Sequence, residues 1–338
     1  MATDPKLTKY PDWPPDTHKP AVSHTSTQTF QACQRRWALT YLTEFLPRKE
    51  MWNAKREKTL MSVNALAGSI FHDTVDYALR TYAATGVQPD NLMRKAKEIA
   101  RGYEDYSLIW SEAVHNGSSW TPRSAYRPVD IVYYSRELPI AIKRDIVSGL
   151  EKWIPYFEDF ARGEEFMDGR YEIRTPQKNA AVPWFWSGDV PVYANYDVAF
   201  VEDGQVHIID WKTGSRDHGE NTAAEQLLCY AAFAASHWNH AYETITCSSV
   251  WVNDGNTSTK EVSVDRLTRL EQRWSAQHAL QMERTAVVKQ DPSQLAAFFP
   301  LCDDISICRS CVFRTCVGRD RLPSADVASD ESAWRSDF

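Results

Sequence analysis

The chain has 338 residues, 43% of them hydrophobic and 25% charged, which is the composition of an ordinary globular protein with enough length to bury a substantial core. Its formal net charge of −7 excludes a uniformly basic nucleic-acid-binding surface, although it is compatible with a local positive groove. There is no apolar run long enough to cross a bilayer and no secretory signal, so we expect a cytoplasmic protein with reduced thiols and no membrane contact.

The N-terminal region divides into an arm and a helix. Residues 1–22 are rich in proline and polar side chains, which predicts a flexible or extended arm. From residue 23 to residue 45, a cluster of serine and threonine precedes large apolar side chains, which predicts one helix with a side-chain N-cap. Cys33, Arg35 and Arg36 lie on this predicted helix.

A basic stretch and a second helix follow. Residues 51–58 predict a mobile connection, and residues 65–84 predict a helix that carries His72. A single histidine on an amphipathic helix is most often a satisfied surface or core residue. The helical pattern alone therefore gives His72 no chemical role.

Helix-like segments rich in aromatic residues occupy about residues 86–166 and predict a helical insertion. Aromatic side chains in such a layer either pack in a core or provide stacking platforms for unpaired bases, and the sequence leaves both open. Residues 171–175 and 183–186 then predict short strands that join the following hairpin in one mixed central sheet.

A hairpin is the strongest local prediction in the chain. Two runs rich in β-forming residues, 192–201 and 205–212, flank an Asp-Gly dipeptide at 203–204. Asp-Gly between such runs is typical of a two-residue hairpin turn. Counting outward from the turn places Asp197 directly opposite Asp210, with their Cβ atoms roughly 5 Å apart.

Lys212 lies two residues after Asp210 and therefore on the same face of the sheet. Two like charges directly opposite each other destabilise a sheet, and a divalent cation between them is the simplest compensation. Carboxylate oxygens are the ligands that Mg²⁺ or Mn²⁺ prefers, and a neighbouring lysine can stabilise charge on a phosphate. A solvated strand face that carries two acids and a lysine is the alternative, and this pattern alone does not exclude it.

A helix with two polar residues on one face follows the hairpin. Thr222 and Glu225 form a capping-box pattern, which predicts that the helix begins there. Gln226 and Tyr230 are four residues apart and share one helix face. The remaining predicted elements are a strand at 244–251, a long helix at 264–287 and a disordered tail at 319–338.

The C-terminal region carries a cysteine motif. Cys308, Cys311 and Cys316 form C-x-x-C-x₄-C, which in a reducing compartment indicates metal or cluster ligation. Zn²⁺ and iron–sulfur clusters both commonly take four ligands, so one ligand is missing. Cys302 would close a Cys₄ zinc site and Cys33 is the other candidate, and spacing alone does not choose between them.

Taken together, these motifs resemble the PD-(D/E)XK nuclease superfamily, in the iron–sulfur branch of RecB-like nucleases and CRISPR-associated exonucleases. The resemblance lies in the order of five elements: the cysteine-bearing helix, G-x-x-x-H at 68–72, the D…DxK hairpin, the QxxxY helix and the C-terminal cysteines. It implies an α/β fold with a restriction-endonuclease-like core, in which helices flank a mixed central sheet. A helical insertion and a C-terminal cysteine cluster are added to one domain at 23–318.

The resemblance also implies roles for particular residues. The implied ligands of one or two Mg²⁺ or Mn²⁺ ions are Asp197, Asp210, His72 and the backbone carbonyl of Trp211. Lys212 would position the attacking water, and Gln226 and Tyr230 would steady the lysine and the DNA backbone. A [4Fe–4S] cluster held by Cys33, Cys308, Cys311 and Cys316 would join the two ends of the chain.

The function expected from this resemblance is metal-dependent hydrolysis of DNA, with exonuclease action on single-stranded ends. The alternative is a cluster-bearing or zinc-bearing DNA-binding or assembly subunit whose nuclease centre is idle or serves a partner. Protein partners are expected in recombination, replication or immune adaptation. The candidate phosphate contacts are Arg35, Arg36, Lys55, Arg56 and Arg216.

Overall fold

The computed structural model describes residues 21–117, 126–163, 172–175 and 182–322. The α-helices of these residues are, in chain order, α1 (His24–Ala32), α2 (Gln34–Tyr41), α3 (Arg48–Glu57), α4 (Val63–Thr85), α5 (Leu92–His115), α6 (Asp130–Ser135), α7 (Ile140–Gly163), α8 (Arg216–Trp238), α9 (Val264–Gln290), α10 (Leu295–Phe298) and α11 (Ser306–Arg309). The strands are β1 (Val22–Ser23), β2 (Glu172–Arg174), β3 (Trp184–Ser187), β4 (Val190–Tyr193), β5 (Val198–Glu202), β6 (Gln205–Lys212), β7 (Ile245–Trp251) and β8 (Asn256–Glu261). In this part of the chain, no helix combines the length and the apolar character that crossing a membrane requires.

The strands of the described residues form two sheets. The larger sheet has the order β2-β5-β6-β7-β8 and the smaller has the order β1-β4-β3. In the larger sheet β6 and β7 are parallel and the other neighbours are antiparallel. Because a parallel pair needs a long crossover, α8 runs between β6 and β7. The predicted α/β fold with a mixed sheet between helices is confirmed.

The hairpin forms in the predicted register. Asp203 and Gly204 have positive φ angles of 46° and 78°, the backbone that a two-residue hairpin turn requires and that Asp and Gly tolerate well. Glu202 pairs with Gln205, and the ladder continues outward to Val198 and Ile209. The next opposed positions are those of the two aspartates, as predicted.

The strands before the hairpin differ from the prediction. The run 192–201 is not one strand, because β4 ends at Tyr193 in the smaller sheet and β5 begins at Val198 in the larger one. Of the two short strands expected in the central sheet, β2 does join it, but β3 pairs with β4 in the smaller sheet. The predicted arm is also too long, since Val22 is buried and pairs with Val192.

Two predicted helices have wrong boundaries, and one predicted connection is a helix. The single helix expected from residue 23 to 45 is broken at Cys33, which has extended backbone angles (φ −156°, ψ 107°) and separates α1 from α2. The mobile connection expected at 51–58 lies mostly within α3. α8 begins at Arg216, six residues before Thr222. In this first turn the Arg216 side chain forms an ion pair of 3.2 Å with Glu220. The backbone N–H of Arg216 lies 3.4 Å from an Asp254 carboxylate oxygen.

Residues of β6 alternate between two hydrophobic cores. Trp211 faces a core made with α4, α5 and α7, where the rings of Phe71 and Phe157 meet it edge-on. Ile208 faces the opposite core with α8, α9 and the smaller sheet. The buried aromatic residues of the insertion, such as Trp110 and Trp153, belong to cores. Asp210 shares the face of Ile208, so the fold directs it toward α8.

A third core joins the two ends of the described chain. Trp37 of α2 stacks on Phe299 with ring centroids 5.6 Å apart, and Phe313 packs in the same cluster. The backbone N–H of Arg35 donates to Pro300, and its guanidinium Nε donates to the Phe299 carbonyl at 2.8 Å. These contacts bring Cys33 to the C-terminal cysteine motif. The predicted tail lies outside the described residues from 323 onward, but its first residues continue a 3-10 helix, Val317–Arg321.

Candidate active site and cysteine pocket

The two aspartates of the hairpin meet at the open end of β5 and β6. Asp210 is buried within β6, and Asp197 lies in the bend just before β5. One Asp197 carboxylate oxygen accepts the backbone N–H of Trp211 at 2.8 Å. The backbone N–H of Trp211 thus bonds to a side chain in place of a carbonyl of a neighbouring strand. This bond holds Asp197 against β6.

α4 brings His72 to Asp197. His72 Nδ1 lies 3.1 Å from the other carboxylate oxygen of Asp197. A Cβ at Gly68 would stand 2.8 Å from Thr213 Oγ1, so glycine at this position allows α4 to approach the end of β6. Gly68 and His72 are four residues apart on one helix face. The G-x-x-x-H spacing therefore has a packing reason and a positioning reason.

This close approach predicts the effect of Gly68→Ala. The added methyl group would displace Thr213 or α4, and we expect the nuclease activity that the resemblance implies to slow by about 10- to 100-fold, because small displacements of a reacting group are costly. Thr213→Ala in the same chain should restore the rate, since it removes the close Oγ1 and its Cβ would lie 3.9 Å from the added methyl carbon. Cleavage rates of the two single variants and the double variant test this, and a double variant as slow as Gly68→Ala would contradict it.

Lys212 is held by a chain of polar contacts. Its Nζ lies 2.6 Å from Asp210 Oδ2 and donates to Gln226 Oε1, also at 2.6 Å. Gln226 Nε2 donates to the Tyr230 hydroxyl. That hydroxyl lies 2.8 Å from the Asn195 carbonyl and 3.5 Å from Asp210 Oδ1. The predicted face of α8 thus orients the lysine beside the acid.

The acids differ in their electrostatic environment. Burial raises the pKa of Asp210 to about 6, the charge of Asp197 adds to this effect, and Lys212 opposes it. Burial also acts to raise the pKa of Asp197, but His72 and the Trp211 N–H outweigh it, so the pKa of Asp197 is lowered. Burial acts to lower the pKa of His72, but Asp197 and Asp210 raise it overall. His72 and Asp197 thus each favour the charged form of the other, whereas burial disfavours ionisation of Asp210.

These side chains line one open cleft, which we call the active cleft, of ≈ 480 Å³. Its lining residues are Ser69, His72, Asp73, Tyr103, Asn195, Asp197, Asp210, Trp211, Lys212, Thr213, Gly214, Gln226 and Tyr230. Asp73 and Tyr103 are not among the site residues predicted from the sequence. In the structure, the Tyr103 hydroxyl donates a hydrogen bond to Asp73 at 3.1 Å. No local signal identifies Tyr103, because it comes from α5 in the insertion.

A family model described as the PD-(D/E)XK nuclease superfamily matches residues 21–316. The chain belongs to this superfamily. The match includes the hairpin, α8 and the cysteines at both ends. No curated protein matches the sequence significantly. The resemblance is thus confirmed for the superfamily, which implies a nuclease, and its iron–sulfur branch remains a prediction.

The donors of the active cleft fit the Mg²⁺ or Mn²⁺ that PD-(D/E)XK nucleases generally use. Asp210 Oδ2 is buried and, among the described residues, receives no hydrogen bond of good geometry, although Lys212 Nζ is close to it. Carboxylate oxygens are suitable ligands for these hard ions. Nevertheless, across the described ranges no group of three or more His, Cys, Asp or Glu side chains is arranged to hold a metal ion as it stands.

The cations predicted to contact phosphate lie away from the active cleft in this PD-(D/E)XK protein. Arg35 is buried and ties α2 to the C-terminal segment, so it is not a surface cation. Arg36 lines the cysteine pocket described below. Lys55 and Arg56 lie on α3, where Arg56 stands over the ring of Tyr133. Arg216, at the start of α8, forms an ion pair with Glu220.

His24, at the start of α1, is a site neighbour that the sequence did not reveal. Its Nε2 is buried and, in the described part of the chain, has no hydrogen-bond partner. Burial lowers the pKa of His24 to about 4, with Lys212 and Arg273 adding to the effect and Glu225 opposing it. The folded protein therefore keeps His24 neutral.

This pKa predicts a pH dependence of stability. Between pH 6.5 and about 4 the unfolded state binds a proton that the folded His24 does not, so acidification should lower the free energy of unfolding by about 2 to 3 kcal/mol. His24→Gln should remove this part of the loss. Denaturant unfolding of both proteins across the window measures it, and identical pH slopes would contradict the assignment.

The second site is a cysteine pocket lined by Cys33, Cys302, Cys308, Cys311 and Cys316. The break between α1 and α2 directs Cys33 into it, where the thiol sulfur accepts the Arg36 N–H at 3.4 Å. Burial raises the pKa of Cys302 to about 12, and the neighbouring Cys33 and Cys308 contribute. Burial also raises the pKa of Cys311 to about 11. The structure thus brings both candidates for the fourth ligand to the C-x-x-C-x₄-C motif.

A buried carboxylate fixes the segment that carries the motif. Glu57 of α3 accepts the Thr315 N–H at 3.1 Å and its hydroxyl at 2.8 Å, directly before Cys316. Burial raises the pKa of Glu57. By contrast, Cys229 and Cys247 are buried in the core around α8, as expected of ordinary thiols.

Proposed function

We propose that this chain is a cytoplasmic, metal-dependent DNA nuclease that acts as an exonuclease on single-stranded ends and is stabilised by a [4Fe–4S] cluster. Membership of the superfamily suggests a metal-dependent nuclease. One observation supports the proposal most strongly. Buried Asp210 and partly exposed Asp197 occupy opposed positions of a hairpin, and Lys212 lies beside Asp210, held by Gln226 and Tyr230.

The proposed ion ligands are Asp197, Asp210, His72 and the Trp211 carbonyl. Bound Mg²⁺ or Mn²⁺ supplies Lewis-acid stabilisation of phosphate charge and a more acidic water. The fixed position of Asp197, which accepts the Trp211 N–H and contacts His72, supports this assignment. Since Asp210 and Asp197 repel each other when both are charged, a divalent cation would also relieve the strain between them.

Lys212 is proposed to position the attacking water and to stabilise charge on the phosphate. Its ammonium lies between Asp210 and Gln226, so its donors have a defined direction. Tyr230 fixes Gln226, and the Asn195 carbonyl next to the hydroxyl fixes Tyr230. A preorganised donor of this kind stabilises a developing charge without reorganising during the reaction.

The exonuclease and single-strand parts of the proposal come from the resemblance to the RecB-like branch. The cluster part is supported by the cysteine pocket, in which Cys33 joins Cys308, Cys311 and Cys316. Four thiolates are the usual ligand set of a [4Fe–4S] cluster. Zn²⁺ in a Cys₄ site remains the alternative.

The test is a cleavage assay on end-labelled DNA. Purified protein is incubated with single-stranded and double-stranded substrates in Mg²⁺ or Mn²⁺, beside a Lys212→Ala variant. We expect nucleotides to be released from single-stranded ends by the wild type alone. Equally little product from both proteins would overturn the nuclease proposal in favour of a DNA-binding or assembly subunit. Cleavage of circular single strands would replace exonuclease action with endonuclease action.

A further inference from the structure

A basic groove lies between α8 and α9, on the far side of the active-site residues of α8. It has a volume of ≈ 590 Å³, and its charged lining consists of Arg266, Arg269 and Arg273 of α9 and Glu225 of α8. We call it the arginine groove. None of these arginines belongs to the phosphate contacts expected from the sequence, so the groove is a separate feature.

Helix geometry explains why the three arginines form one surface. They are spaced i, i+3 and i+7, which places them on one face of α9. Leu270 and Trp274 occupy the buried face of the same helix. From Arg266 to Arg273 the helix rises about 10 Å. That length matches about three nucleotides of a strand with a rise of about 3.4 Å each.

The groove keeps a positive charge in a protein whose net charge is −7. Glu225 neutralises Arg273 through an ion pair of 2.7 Å. Among the interactions of the described residues, the side chains of Arg266 and Arg269 have neither an ion pair nor a hydrogen bond, and both are exposed. Their guanidinium groups are therefore available to a ligand that carries negative charge.

The groove and the active cleft share one wall. Glu225 lines the groove, and the next residue of α8, Gln226, lines the active cleft and holds Lys212. His24 of α1 is near enough to both regions that Lys212 and Arg273 each lower its pKa. A strand that crosses α8 from the groove would therefore reach the cleft.

We propose that the arginine groove binds the sugar–phosphate backbone of a DNA strand whose scissile phosphate lies in the active cleft. Guanidinium groups contact phosphate oxygens through pairs of parallel hydrogen bonds, which makes arginine well suited to this ligand. Such contacts fix the register of the strand and carry no sequence preference. This inference rests on the proposed nuclease function, because it places the substrate of that function.

The experiment compares two double variants of the full-length chain. Arg266→Gln/Arg269→Gln alters the groove, and Arg94→Gln/Arg162→Gln removes the same charge from α5 and α7, where both arginines are exposed in surface ion pairs. Binding of a dye-labelled single-stranded oligonucleotide is measured by fluorescence anisotropy in Ca²⁺ at several salt concentrations. Thermal unfolding confirms that both variants are folded.

We expect the groove variant to bind the oligonucleotide about tenfold more weakly than the wild type. The slope of log affinity against log salt concentration should become shallower by about 1.4, which corresponds to the loss of two single-strand phosphate contacts. The control variant should bind like the wild type. Equal affinities and slopes for the two variants would overturn the inference. Hydrolysis of bis(4-nitrophenyl) phosphate in Mn²⁺ separates this failure from failure of the nuclease proposal, since that small substrate does not reach the groove. If both variants hydrolyse this substrate at the wild-type rate, the active site is intact in both. The binding result then tests the arginine groove alone.

Discussion

Replacing Asp210 with asparagine is expected to lower the rate of DNA cleavage by about 10³-fold or more, because it removes the proposed carboxylate ligand and the charge that faces Lys212. Asparagine has nearly the same shape as aspartate, so the packing of β6 against α8 should persist. The burial that raises the pKa of Asp210 to about 6 means that its charged form is less favourable in the folded protein than in water. Asparagine carries no charge, so Asp210→Asn removes the unfavourable burial of a carboxylate. We therefore expect the midpoint of thermal unfolding to change by only a few degrees.

The matched control is Asp203→Asn in the hairpin turn. Asp203 has a φ of 46°, a conformation that asparagine also tolerates, and it lies outside the active cleft. It should cleave at the wild-type rate. Cleavage by Asp210→Asn at the rate of this control would show that the aspartate pair is not the catalytic centre.

The second large effect is expected from the cysteine pocket. Serine at Cys33 or Cys308 should abolish binding of the metal or cluster and lower the thermal midpoint strongly, because a structural metal can contribute about 10 to 16 kcal/mol to folding. Cys33 is buried at the break between α1 and α2, whereas Cys302 is partly exposed and its thiol lies near the Asp304 carbonyl. We therefore predict that Cys302→Ser retains the bound group.

Metal analysis and visible absorption of anaerobically purified protein measure this outcome. A coloured wild type with stoichiometric iron, together with colourless Cys33→Ser and coloured Cys302→Ser, would support a cluster held by Cys33, Cys308, Cys311 and Cys316. Colourless wild type with stoichiometric zinc would rule out the cluster. Loss of the bound group in Cys302→Ser but not in Cys33→Ser would show that Cys302 is the fourth ligand.

The centre of the site could be predicted from sequence because its rules are local. An Asp-Gly turn and the period of two along a strand place Asp197, Asp210 and Lys212 together. Helical spacing places Gln226 beside Tyr230. The structure has both arrangements, since Lys212 contacts Asp210 and Gln226. Both predictions require only residues that are close in the chain or are joined by one tight turn.

The remaining features depend on contacts between distant residues. The helix break at Cys33 is stabilised by contacts of α2 with residues near 300, and no local breaker marks it. At the early start of α8, the backbone N–H of Arg216 contacts Asp254, which is 38 residues away in the chain. The assignment of β3 to a second sheet depends on pairing with β4 and on β1. Propensity and patterning cannot supply such tertiary effects.

The same limit applies to the parts of the site that the sequence missed. Tyr103 reaches the active cleft from the insertion, and His24 of α1 is near enough to Lys212 for the lysine to lower its pKa. The arginines at 266, 269 and 273 share a helix face that can be read from their spacing. Their position beside α8 becomes evident only when α9 packs against it. Partner proteins in recombination, replication or immune adaptation remain a prediction from the resemblance.

The proposed nuclease function depends on a divalent cation that Asp197 and Asp210 hold beside Lys212. Titration of Mn²⁺ followed by electron paramagnetic resonance tests it most directly, with wild type, Asp210→Asn and the Asp203→Asn control measured side by side. We expect the wild type and the control to bind one or two Mn²⁺ ions and Asp210→Asn to lose this binding. Equal Mn²⁺ binding by all three proteins would contradict it.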